Sequence, residues 1–314
     1  MKVMKSTKIL GISLSALALV CSGLGMGTLL QGKLSASANE NWMGGLADAT
    51  RLADVSLPGS HDTMALYAMA EIAGKCQDLD LTSQLKAGVR FLDIRLQLDG
   101  DRLKAVHGAI DEKAGFAEIV SAISSFLQSH KSETILCSIK KEAPDKNSSL
   151  SFEKALQKEF DERWNLGNTL PETVGEARGK VYLISRYENS SIGVPAFAGW
   201  LDPAEAKEKN TFDLPNGIHV QDHYKLRSFI DKKEEFTQAL EWSKTAEKFS
   251  LNFASGYLVS SFPPIYAPSI AKDMNKELVS ILNGRHDCGV IVMDFVTSSL
   301  VKTVIDTNKN GGLL

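Results

Sequence analysis

The sequence predicts an α/β protein built as a single parallel β/α barrel ringed by helices, and three observations carry that expectation. Short apolar strands alternate with amphipathic helices along residues 39–314. No low-complexity linker or fixed-length repeat divides this stretch. Several of the strands end in polar residues that share a face, which is where a barrel of this kind keeps its active site. A doubly wound open sheet satisfies the first two observations equally and stays as the alternative.

Composition narrows the field first. The chain has 314 residues, 43% hydrophobic and 23% charged, which excludes a disordered, collagen-like or disulfide-stapled protein. Its opening reads as a secretory signal peptide over residues 1–38. Lysines at positions 2, 5 and 8 precede an apolar run from Ile9 to Val20, and Ala36-Ser37-Ala38 fits a small-residue cleavage site. Gly23, Gly25 and Gly27 break the run that a membrane-spanning helix would need. A secreted, extracellular, monomeric domain at residues 39–314 is therefore expected. Residues 1–38 hold four lysines and no acid, so the net charge of −3 leaves −7 for the rest. Phosphate-backbone binders are ordinarily basic, and nucleic acid is not an expected partner. Beyond the leader stand Cys76, Cys137 and Cys288, an odd number best read as buried free thiols.

The elements follow in order. A strand is expected over residues 87–98. Phe116, Ile119, Val120, Ile123, Phe126 and Leu127 then fall at helical spacing, and 133–140 alternates like a strand. Helix is expected over 151–164, strands over 180–186 and 217–222, helices over 226–248 and 269–282, and a last strand over 289–295. Period two puts Asp93 and Arg95 on one face, aligns Lys140 with Glu142 and Asp222 with Tyr224, and brings Arg186 and Asp294 to the ends of their strands. A network of strand-end salt bridges would explain such residues one at a time; their common phase favours a binding site.

Of the six histidines, His61 and His107 stand in loops with turn residues around them, each after an expected strand. His130, His219, His223 and His286 read as surface or core fillers. Two histidines, an arginine and surplus carboxylates at strand ends suit acid–base attack at a phosphate, with one imidazole accepting a proton, the other donating one, and the guanidinium holding the non-bridging oxygens. Metal ligation is the rival reading. No HExxH, CxxC or EF-loop spacing supports it, and Arg95 would both repel a divalent ion and supply the charge that ion would bring. A serine hydrolase lacks its G-x-S-x-G elbow.

Ser56-Leu57-Pro58-Gly59-Ser60-His61-Asp62-Thr63, then Gly88-Val89-Arg90-Phe91-Leu92-Asp93-Ile94-Arg95, His107-Gly108, and the segment from Glu133 to Glu142 resemble, in order and spacing, the bacterial phosphatidylinositol-specific phospholipases C. The likeness continues through Ala177-Arg178-Gly179-Lys180, Arg186-Tyr187, Val220-Gln221-Asp222-His223-Tyr224-Lys225 and Val292-Met293-Asp294-Phe295, so it spans essentially all of 39–314. It implies a distorted parallel barrel and a two-step reaction on phosphatidylinositol through a 1,2-cyclic phosphate. By the same resemblance His61 is the general base, oriented by Asp294. His107 is the general acid, assisted by Asp62, and Arg95 neutralises the phosphate. Lys140, Glu142, Arg186, Asp222 and Tyr224 match the family's inositol-binding positions. Animal relatives place acidic calcium ligands where this chain has Asp93-Ile94-Arg95, so neither a metal nor another cofactor is expected.

Two other classes stay open: a phosphodiesterase with a different head-group preference, and a non-catalytic inositol-phosphate-binding module. The hallmark of the latter would be loss of a catalytic histidine or the arginine, and none is lost. The expected partner is phosphatidylinositol in a membrane. A body at −7 offers no polybasic attraction, so contact falls to apolar insertion by residues 64–69 or 262–266, the first of which reads rather more readily as core packing. The tryptophans at 42, 164, 200 and 242 lie away from both stretches.

Overall fold

A computed structural model describes residues 39–67, 74–200, 211–245, 248–259 and 267–314. Its strands are β1 (Leu57–Ser60), β2 (Phe91–Asp99), β3 (Arg102–His107), β4 (Ile110–Gly115), β5 (Ile135–Lys141), β6 (Trp164–Asn165), β7 (Val181–Arg186), β8 (Val194–Pro195), β9 (Thr211–Asp213), β10 (Ile218–Gln221), β11 (Lys225–Leu226), β12 (Phe249–Phe253), β13 (Tyr257–Leu258) and β14 (Val290–Met293). The helices are α1 (Leu81–Ala87), α2 (Phe116–Ser129), α3 (Phe152–Glu159), α4 (Val174–Ala177), α5 (Phe229–Thr245), α6 (Ala267–Ile281) and α7 (Ser298–Asn310). None of the described helices is long and apolar enough to cross a membrane.

Nine strands form a curled sheet in the order β6-β7-β5-β2-β1-β14-β12-β10-β9, parallel throughout except for β9, with β3, β4 and β8 attached beside it and β11 and β13 paired as a separate two-stranded sheet. Chain ends meet here, because β1 lies between β2 and β14. β1, β7, β12 and β14 are buried along their whole length, as strands covered on both faces must be. Around them α2 buries the six apolar residues whose spacing predicts it. The barrel's distortion is a seam: among the described residues no ladder joins the β9–β10 edge to β6, β7 and β8, and the Asn216 side-chain amide donates across it to the Pro195 carbonyl at 2.7 Å.

Opposite the strand ends, Arg90 and Glu133 make a fully buried ion pair at 2.7 Å. Every remaining guanidinium donor is used, on the carbonyls of Leu85, Val89 and Glu40. Such saturation is what makes a buried charge tolerable.

Several expectations shift. The strand expected from residue 87 begins at Phe91, because α1 runs to Ala87 and ends on Gly88, whose φ of 111° is readily open only to glycine. The helix expected over 151–164 stops at Glu159, since Trp164 and Asn165 leave to pair with β7. Strands β4 and β12 and helices α1 and α7 are not among the expected elements, and His107, expected in a loop just after a strand, is the last residue of β3.

Candidate active site

Register fixes the constellation. Arg95 on β2 is the parallel partner of Lys140 on β5, which is in turn the partner of Arg186 on β7, so three cations lie abreast at the strand ends. His61 follows the last residue of β1 and Asp294 the last residue of β14, on neighbouring strands. His107 arrives separately, at the end of β3 where the hairpin turns.

Two histidine–carboxyl pairs flank one guanidinium. His61 Nδ1 is 2.7 Å from Asp294 Oδ1, and His107 Nδ1 is 3.0 Å from Asp62 Oδ2. Between them Arg95 lies 3.4 Å from Asp62, 3.2 Å from Asp93, 3.8 Å from Glu142 and 2.7 Å from His61 Nε2. The last contact defines the ring's state: a neutral His61 donates from Nδ1 to Asp294 and accepts from Arg95 at Nε2, so the lone pair through which the ring can take a proton is the one on Nε2.

The electrostatics set the two pairs apart. Burial pulls the His61 pKa down, but Asp294 more than compensates and holds it above its ordinary value. Burial, followed by Arg95, drives His107 down to about 4. Asp62 goes the other way, raised to about 7 by burial with Asp93 and Glu142 adding to it. In the unliganded site the proton of the second pair therefore rests on the carboxyl, and a phosphate that offsets Arg95 moves it toward the imidazole. Asp93 is held well below the usual carboxylate range by Arg95 and Arg186 against the effect of burial, so it is the fixed negative anchor of the cluster.

The ring of further predicted residues also converges. Lys140 pairs with Glu142 at 3.1 Å, and Glu142 accepts from the Gly108 amide, tying the hairpin turn beside His107 to β5. Arg186 reaches Asp93 at 3.6 Å and Asp222 at 3.7 Å. Tyr224 stands two residues beyond Asp222, half-buried, its ring 6.0 Å from that of Tyr257. As expected, the other four histidines serve local packing; His130, for example, bonds the Phe126 carbonyl and stacks on its ring.

Three residues that complete the centre escape the sequence reading, and a fourth, Asp93, is placed by it but given no role. The ring of Trp200 sits 3.5 Å under the Arg186 guanidinium, and its indole N–H donates to Asp222 at 2.9 Å. Asp93 shares a face with Arg95, which was its signal. Gln77 and Cys76 carried none. The Gln77 amide donates to the carbonyls of His61 and Met293 and accepts from the Val296 N–H, while the Cys76 carbonyl accepts from the Phe295 N–H. Asp62 and Phe295, one residue past each member of the first pair, have φ of 38° and 49°, and this clasp holds them there.

Of the stretches considered for membrane contact, 68–69 and 262–266 lie outside the described residues. Met64 and Ala65 are buried in the core, and Tyr67 is exposed with the Lys113 ammonium 4.2 Å from its ring.

Residues 55–182 match the family described as phosphatidylinositol-specific phospholipase C, X domain. That span holds His61, Asp62, Arg95, His107, Lys140 and Glu142, whereas Arg186, Asp222, Tyr224 and Asp294 lie beyond it. The chain is 29% identical to the 1-phosphatidylinositol phosphodiesterase of Listeria monocytogenes over 286 residues, covering 86% of this chain and 85% of that one. It is 28% identical to the Staphylococcus aureus protein of the same name over 304 residues, covering 86% and 94%. Among solved structures, a phosphatidylinositol-specific phospholipase C variant from S. aureus superposes with a TM-score of 0.75 at 25% identity, covering 87% of this chain and 99% of that one. The L. monocytogenes enzyme superposes with a TM-score of 0.68 at 26% identity, covering 86% and 98%.

Proposed function

Because the chain belongs to the phosphatidylinositol-specific phospholipase C family, we propose that it is a secreted phosphodiesterase that cleaves phosphatidylinositol to diacylglycerol and inositol 1,2-cyclic phosphate. The observation that carries the reading is the pair of histidine–carboxyl couples, at 2.7 and 3.0 Å, on either side of Arg95.

In the first step His61 Nε2 takes the proton of the inositol 2-hydroxyl. The oxygen forms a bond to phosphorus, and the bond from phosphorus to the diacylglycerol oxygen breaks. His107 and Asp62 deliver the pair's proton to that leaving oxygen, so charge is conserved across the site. Arg95 leaves the His61 lone pair for the non-bridging oxygens, where two parallel N–H donors meet developing negative charge. In the second step the roles reverse: the His107–Asp62 pair accepts a proton from water, and His61 returns one to the 2-oxygen as the cyclic ester opens. Lys140, Glu142, Arg186 and Asp222 offer donors and acceptors to the ring hydroxyls, and the Tyr224 face covers the sugar's apolar side.

Arg95 supplies the positive charge that a metal would, so the reaction runs without one. Incubation of phosphatidylinositol vesicles with the chain in excess chelator is expected to release diacylglycerol and the cyclic phosphate. A strict calcium requirement would overturn the role of Arg95, and cleavage of phosphatidylcholine in preference would overturn the head-group assignment. His61→Ala is expected to lower turnover by about 10²–10⁴-fold, the usual contribution of a general base, with the fold retained by circular dichroism.

A further inference from the structure

Cys76 is a second chemistry inside the same centre. Its thiol sulfur lies 3.9 Å from His107 Nδ1, and that nitrogen is 3.0 Å from Asp62 Oδ2; the three ligand atoms all fall within 4.8 Å of one another. A tetrahedral ion bound at about 2.0–2.3 Å by nitrogen, oxygen and sulfur has ligand-to-ligand edges of roughly 3.4–3.6 Å. The observed spacings bracket that value without rearrangement of the backbone.

We propose that Cys76, His107 and Asp62 form a binding site for a thiophilic divalent cation, zinc or cadmium, whose occupation shuts the enzyme off. Three further observations point there. Asp62 Oδ2 is buried and meets His107 Nδ1 at 3.0 Å and Arg95 at 3.4 Å, neither with hydrogen-bond geometry among the described residues, so this oxygen can turn to an ion beside the sulfur and the imidazole. The second grouping around the same sulfur, with His61 and Asp294, is less available, because both nitrogens of His61 already have close neighbours. Exposure is uneven: Cys76 and Asp62 are nearly sealed, whereas the His107 side chain is 28% exposed, so water can complete the coordination on its side.

Arg95 opposes a cation, and the count around it decides the balance. Asp62, Asp93 and Glu142 all lie within 4 Å of that guanidinium, with Asp294 on the other side of His61; Arg186 shares Asp93 and Lys140 shares Glu142, so once Asp62 gives up its proton four carboxylates face three cations. The donor set selects the metal. One thiolate, one imidazole and one carboxylate suit zinc and cadmium, whereas calcium and magnesium require six or more oxygens. On binding, the thiol proton and the proton held by the His107–Asp62 pair both pass to solvent, sulfur, nitrogen and oxygen each donate an electron pair to the ion, and His107 Nδ1 and Asp62 are no longer free to carry a proton to the leaving oxygen.

The inhibitory half of the proposal rests on the reading of His107 as the acid; the binding half does not. Cadmium titration of the purified chain should therefore be followed directly, by the ultraviolet thiolate-to-metal absorption, alongside turnover of a soluble inositol phosphodiester. One cadmium per chain is expected to raise the band and suppress turnover, with zinc doing the same to turnover and calcium and magnesium neither. Cys76→Ala and Cys76→Ser should remove the band and weaken inhibition at least about tenfold, the lower end of what loss of even a supporting partner of a metal ligand costs. Cys137→Ala and Cys288→Ala should leave both unchanged. No band, or a band that survives in both Cys76 variants, overturns the site. A band without inhibition overturns its link to turnover. If the chain shows no phosphodiesterase activity at all, the band still tests the site, so the two readings fail separately.

Discussion

As the proposed base, His61 works only in one ring state, and the carboxylate that imposes it is separated from it by most of the chain. Asp294, 233 positions away, raises its pKa against burial; Gln77 ties the His61 and Met293 carbonyls together with a single amide. Replacing the carboxylate removes the charge that stabilises the imidazolium, so the His61 pKa falls. Since the base must be neutral to act, Asp294→Asn is expected to move the acid limb of the kcat/KM profile to lower pH. The plateau should drop by about 10²–10⁴-fold, because the ring loses the partner that fixes its tautomer. An acid limb that stays in place would mean that another group governs it. Gln77→Leu keeps the volume and deletes the clasp. Turnover is expected to fall by about 10–100-fold with KM nearly unchanged, as a misplaced catalytic group lowers kcat while leaving ground-state binding alone. A matched loss in KM would instead indicate collapse of the binding ring.

Elements place the second pair. His107 sits at the turn of the β3–β4 hairpin, which is held to the 61–77 segment by Glu112: one carboxylate oxygen accepts from both the Leu66 and Tyr67 amides at 2.9 and 3.0 Å. Glu112 is nearly sealed from solvent, and burial lifts its pKa to about 7 despite those two donors. A folded-state pKa above the ordinary 4.5 means that the native state binds more protons than the unfolded one between about pH 4.5 and 7. The stability Glu112 contributes is complete below that window and is lost as pH rises through it. Wild type should therefore lose on the order of 1–3 kcal/mol more than Glu112→Gln across this interval in denaturant melts. Equal slopes would show that folding leaves the Glu112 pKa where it is in the unfolded chain. This hairpin also marks where sequence reading runs out. The parallel strands betray themselves by apolar runs ending in polar residues of common phase, and Asp93, Arg95, Lys140, Glu142, Arg186, Asp222 and Asp294 were legible that way. In β4, by contrast, Asp111, Glu112 and Lys113 make a rim strand look like loop. In β12, Ser250 and Asn252 are buried polar groups satisfied by Ser243 and by Gln221 and the Phe236 carbonyl, partners that only the folded barrel reveals. Gln77, Cys76 and Trp200 escape for the same reason, since no local period marks a side chain whose partners lie on distant strands.

At the scale of the whole molecule, the site is a product of barrel closure, and its charge decides how the protein meets a lipid surface. The first pair joins the ends of β1 and β14, so no fragment lacking either strand can assemble it. At the mouth, Arg95, Lys140 and Arg186 are outnumbered by Asp62, Asp93, Glu142, Asp222 and Asp294, and the chain beyond residue 38 carries −7. Phosphatidylinositol is itself anionic. Long-range attraction of body to bilayer is therefore absent, and the field between them is weakly repulsive. Salt shortens the Debye length from about 30 Å at 0.01 M to about 8 Å at 0.15 M, which screens repulsion and leaves apolar contact intact. Hydrolysis of phosphatidylinositol vesicles is expected to hold steady or rise over that range, while turnover of a soluble inositol phosphodiester stays level. A polybasic surface would give the opposite: vesicle activity collapsing with salt. That outcome would reveal a basic membrane-facing patch that the net charge conceals and remove the case for apolar insertion as the route by which this enzyme reaches its substrate.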